Sequence, residues 1–177
     1  MRYGLIALVS MTLMGCIGAG KLTSLSNQKD GYFPTLTGID LMGVDRTIPE
    51  TFDGKYNLIA VAFEREQQEI INTWITEADK LEASNKNFKF YEIPVIYELN
   101  ALWRTWINNG MRSGIPDENA RLRTITVYTE RDKFLDFMKM NKDTVYLLSL
   151  DQNGKIIWQE TGNASEDKIK SLKKKLI

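Results

Sequence analysis

Histidine is absent from this chain of 177 residues, and cysteine occurs once, at Cys16. Without histidine there is no Ser-His or Cys-His dyad and no His-ligated zinc, copper or haem. A single cysteine allows no intramolecular disulfide and no C-x-x-C redox couple. Charge excess is also missing: 23 basic residues balance 23 acidic ones. No basic field is available to hold nucleic acid. Nor is there an internal repeat or a low-complexity run. What remains is ordinary for one globular domain, with 43% hydrophobic and 26% charged residues. No cofactor is expected.

The amino terminus has the parts of an export signal. Arg2 is the positive region, and Leu5 to Leu13 is an apolar stretch too short for a stable spanning helix. Leu13-Met14-Gly15-Cys16 then resembles the bacterial lipobox: an aliphatic residue, a tolerated second residue, a small residue and the cysteine to be acylated. Residues 1–15 are therefore expected to be a lipoprotein signal peptide. Residues 16–35 are expected to be the lipidated cysteine and a tether rich in Gly, Ser, Asn, Lys and Thr, and 36–177 the domain. Acyl chains on Cys16, palmitate among them, would hold the protein on a membrane, at roughly 0.8 kcal/mol per buried methylene. Ile17 stands where an Asp would signal inner-membrane retention. The expected location is the cell envelope, on the outer membrane facing the periplasm in a double-membraned source.

Along the domain, Asp40 to Phe52 reads as a turn or short hairpin, and Asp53-Gly54-Lys55 as a further turn. Asn57 to Phe63 is a continuous apolar run that suits a central strand of a mostly parallel sheet. From Glu66 to Leu81, Ile70, Ile71, Trp74, Ile75, Ala78 and Leu81 recur on one helical face. Phe88 to Ile96 is a second strand, so a right-handed crossover is expected. Leu99, Leu102, Trp103, Trp106 and Ile107 mark another helix, with Asn109-Gly110 as its stop. Met111 to Arg123 reads as an exposed loop. A strand over Thr124 to Tyr128 leads to a helix from Glu130 to Met140 capped by Thr129. Thr144 to Leu150 and Lys155 to Gln159 form a hairpin around Asp151-Gln152-Asn153-Gly154. Ser165 caps a last helix carrying Ile169, Leu172 and Leu176. The expected class is α/β: a mixed sheet flanked by helices, with a helical insertion after the second core strand.

Several motifs are more specific. They are Gly54-Lys55 before the first buried strand, Trp74, Met111-Arg112-Ser113-Gly114-Ile115-Pro116, and Val145 to Leu148 through Gly154-Lys155-Ile156-Ile157-Trp158 with Gly162. Over Gly54 to Leu176 these residues resemble the thioredoxin-like superfamily. Within it they resemble the mitochondrial ATP synthase assembly factors known as subunit ten of the ATPase complex, a family with bacterial relatives. The resemblance implies a thioredoxin-like fold and a chaperone-like character. Mitochondrial members help assemble the membrane sector of ATP synthase, a setting from which a lipidated envelope protein departs.

That fold places its reactive cysteines just after the first core strand, where a helix amino terminus lowers the thiol pKa. Glu64-Arg65-Glu66-Gln67-Gln68 stand there instead, and Asn141-Lys142-Asp143-Thr144 replaces the usual proline approach to the penultimate strand. Thiol exchange is not expected. Glu64, Arg65 and Glu66 could bind a cation or serve as a general base, although glutamates at a solvated helix start need no such role. Arg112, Arg121, Arg123 and Arg131 could gather into an anion or partner site, or pair locally with Asp117, Glu118 and Glu130. Trp103 and Trp106 suit core packing; if exposed, they would be protein-binding anchors. A binding or assembly protein with an unidentified protein partner is the leading expectation. An enzyme using carboxylate and Arg chemistry at the former redox corner is a second, and a structural envelope lipoprotein a third.

Overall fold

The computed structural model describes residues 29–176; the signal segment and Cys16 lie outside that range. Seven strands form one sheet in the order β2-β1-β5-β4-β3-β6-β7. They are β1 (Leu36–Asp40), β2 (Asp45–Ile48), β3 (Tyr56–Ala62), β4 (Phe88–Tyr97), β5 (Ile125–Thr129), β6 (Tyr146–Asp151) and β7 (Ile156–Thr161). The helices are α1 (Gln68–Ser84), α2 (Ala101–Gly114), α3 (Glu118–Arg123), α4 (Arg131–Met138) and α5 (Glu166–Lys173). β3, β4 and β5 run parallel, as their apolar character and helical crossovers require. β6 joins β3 antiparallel, and β7 follows by a hairpin. At the other edge the β1–β2 hairpin pairs antiparallel with β5.

Alternation along β3 splits the core between the two faces. Ile59 and Val61 pack with Ile93, Val127, Leu148 and Phe134 of α4. Leu58 and Ala60 pack with Phe90, Leu147 and the inner sides of α1 and α5. Phe33 is 2% exposed within the first cluster, and Tyr32 bridges to Lys155, so the packed chain begins upstream of residue 36.

The motif residues have structural roles. Asn57 locks the turn before β3 by accepting from the Gly54 N–H and donating to the Gly54 carbonyl. Trp74, wholly buried, donates its indole N–H to the Gly162 carbonyl at 2.8 Å and meets Trp158 edge-on. Gly154 sits at φ +79° in the β6–β7 turn, a conformation glycine adopts freely. There Asp151 accepts from the backbone of Asn153 and Lys155.

Three sequence expectations change. α2 runs through Asn109-Gly110 to Gly114, because Gly110 keeps a negative φ; Ile115, held extended ahead of Pro116, ends it. Residues 111–123 are therefore mostly helical rather than a loop, with Asp117 accepting from the Ala120 N–H to cap α3. Thr129 does not cap α4; it closes β5 and is buried, and Glu130 is the N-cap.

A thiol-free corner and the groove beside it

At the carboxyl end of β3 a single 3-10 turn, Arg65–Gln67, precedes α1. Glu64, Arg65 and Glu66 are exposed there, whereas Gln67 is buried. The Gln67 carboxamide oxygen accepts from the Phe63 N–H at 2.8 Å and the Glu64 N–H at 3.3 Å. Its NH2 donates to the Lys142 carbonyl at 2.7 Å. One neutral side chain thus ties the start of α1 to the approach to β6.

Arg131 closes the corner from the other side. Buried, it donates to the Phe63 carbonyl at 2.9 Å and pairs with Glu64 at 3.3 Å. Its guanidinium also lies over the Tyr97 ring at 3.9 Å. Burial and three kinds of contact make it a strut rather than a free anion receptor. Among the described residues, no cluster of His, Cys, Asp and Glu is suited to a metal ion.

The four arginines do not converge on one site. Arg121 turns inward and donates to the carbonyls of Ile115 and Arg112, finishing the carboxyl end of α2. Arg123 bonds Asp79 of α1 at 2.7 Å, lies over Phe90 and stands 4.0 Å from Glu92. Arg112 contributes its carbonyl to Arg121 and lies half-buried.

A groove of about 1780 Å3 extends from this corner between α1 and α2. Ile71 and Ile75 line one wall, Trp106, Ile107 and Met111 the other, with Phe90, Pro94 and Ile96 of β4 as floor. Its outer wall is unusual. No residue of α2 is buried. Its polar side faces the sheet, where the Tyr128 hydroxyl donates to the Arg104 carbonyl and the Asn108 side chain. Arg104 also lies over the Tyr128 ring. The apolar arc is consequently turned out: Leu102 is 78% exposed, Trp103 53% and Trp106 68%. The two indoles touch only edge to face, so neither packs in the core as their helical spacing suggested.

Glu92 is the group that sequence reading missed. It is 3% exposed in the groove floor, accepting from Gln68 at 3.2 Å. Burial raises its pKa above the ordinary carboxylate range, although the Gln68 hydrogen bond and Arg123 oppose the shift. The folded state then binds more protons than the unfolded chain between the two pKa values. Stability should fall as pH rises through that window from about 4.5, and Glu92→Gln should flatten the fall. Urea midpoints measured from pH 4 to 8 check this; parallel profiles for both proteins would refute it.

Comparison with known proteins places this geometry. A family model described as ATP10 protein matches residues 23–176. No curated protein matches the chain. Among solved structures, BsSco, a member of the Sco family of cytochrome c oxidase assembly proteins, is similar at TM-score 0.55 and 14% identity, covering 84% of this chain and 95% of that one. A thiol:disulfide interchange protein from Bacteroides sp. gives TM-score 0.53 and 17% identity, covering 81% and 87%. The exposed lipoprotein thioredoxin of Streptococcus pneumoniae gives 0.52 and 13%, covering 79% and 98%. At these identities the likeness concerns the fold, which is thioredoxin-like.

Proposed function

The chain belongs to the ATP10 protein family, and from that membership we propose that it is a non-catalytic binding or assembly factor, held at the cell envelope by lipid on Cys16. The groove between α1 and α2 is its working surface. The observation that carries this reading is the open groove itself, walled by Ile71 and Ile75 on one side and by Ile107 and Met111 on the other, an apolar concavity able to receive a partner's apolar segment. A chaperone-like role fits the family and the absence of histidine and of a second cysteine. The Sco protein, also an assembly protein by its description, offers an analogy for such use of the fold.

Two measurements test the two halves of the reading. Cys16→Ser should move the protein out of the acylated membrane fraction and abolish labelling by a palmitate analogue; persistent labelling would reject the anchor. A photo-crosslinking residue at Ile107 in the groove wall should give a discrete protein adduct in cells, while one at Lys168 on α5 should not. Adducts equal at both positions, or absent from Ile107, would reject the groove.

A further inference from the structure

We propose that α2 is also a membrane-surface helix, whose arc of Leu102, Trp103 and Trp106 beds into the headgroup boundary of an anionic lipid bilayer. Three observations support lipid as the occupant. First, the arc joins an aliphatic side chain to two indoles, each an apolar ring with one polar N–H, the composition favoured at membrane interfaces. Second, α2 itself carries no acid: its charges are Arg104, which pairs with Glu98 ahead of the helix, and Arg112, and the nearest acids, Glu98 and Asp117, lie beyond its two ends. A protein-facing helix tolerates acids at its rim, whereas anionic headgroups repel them.

Third, the reach is sufficient. The chain enters beside Gly154, at the end of the sheet remote from the start of α2. β4, with ten residues, spans about 33 Å between those ends. The thirteen steps from Cys16 to Lys29 span up to about 45 Å when extended, so a domain anchored at Cys16 can turn α2 to the bilayer. The lipid contact does not itself require acylation of Cys16. It would set the mouth of the groove at the bilayer surface, where apolar segments of membrane partners emerge.

The full chain carrying Cys16→Ser is compared with the same chain also carrying Leu102→Ser, Trp103→Ser and Trp106→Ser, so that the amino-terminal segment is common to both. Vesicles of phosphatidylcholine and phosphatidylglycerol at 3:1 are the probe. Partition should drop about tenfold in the substituted chain, and more weakly with phosphatidylcholine alone. A second variant, Trp103→Phe with Trp106→Phe, keeps the apolar arc; it should still bind but lose the quenching of tryptophan emission by brominated lipid. Equal partition of the first pair, or undiminished quenching in the Phe variant, would overturn the proposal. So would doubling of molecular mass without vesicles, abolished by the serine substitutions, which would assign the arc to a second copy of the chain. Failure of the Ile107 crosslink would count against the protein-binding groove and leave the vesicle result standing.

Discussion

Trp74→Ala is expected to destabilise the domain by about 3–5 kcal/mol, the largest effect of any single truncation considered for this protein. The ring has no solvent exposure and lies among Leu58, Ala78, Leu147 and Leu172 in one cluster. Removing it opens a cavity under α1. It also unpairs the Gly162 carbonyl, whose bond from the indole nitrogen links α1 to the end of β7. Trp158 then loses its edge-on neighbour. Trp74→Phe separates these contributions: it keeps most of the apolar volume and forfeits the hydrogen bond, for a smaller loss of about 1–3 kcal/mol. Chemical denaturation should show lower midpoints with an unchanged slope. An alanine variant within 1 kcal/mol of the parent would mean that the site collapses around the gap.

Gln67→Ala should cost about 2–4 kcal/mol, although it removes few apolar contacts. Its carboxamide is the shared partner of the Phe63 N–H and the Lys142 carbonyl, and both would be left without it in the wall of the corner. Gln67→Glu is the informative companion. A carboxylate still accepts from Phe63 but repels the Lys142 carbonyl, so the variant should be destabilised at pH 7 and recover as the pH is lowered. The midpoint of urea unfolding at pH 7 and pH 4.5 measures this; no recovery on acidification would contradict the bridging geometry. The substitution matters because Gln67 holds, by hydrogen bonds alone, the junction between the start of α1 and the approach to β6.

Much of this architecture is legible in the sequence. The apolar run at Leu58 to Phe63, the spacing from Ile70 to Leu81 and the Asp151 to Gly154 turn each matched an element, because each signal is local. The direction in which a helix presents its apolar side is not local. Trp103 and Trp106 have a spacing compatible with burial, yet the hydroxyl of Tyr128 on a distant strand captures the polar side of α2 and turns the rings outward. Gly110 misled for a related reason: in αR conformation glycine only weakens a helix, and the break came where Pro116 constrained Ile115.

The site was half visible. The missing thiols could be read from the chain, but the roles of Gln67 and Arg131 depend on the carbonyls of Lys142 and Phe63, which approach only in the fold. Glu92 did leave a trace, as a single carboxylate within the otherwise apolar Phe90 to Ile93. A charge in the middle of a two-sided strand is the signal that could have found it.

Because α2 fully buries no side chain and Tyr128 holds it at the sheet through polar contacts, apolar packing contributes little to keeping it wound. Its peptide hydrogen bonds can open one segment at a time while the rest of the molecule stays closed. The insertion is thereby a semi-independent cassette: its sequence can be rewritten to suit a new surface without renegotiating the core beneath it.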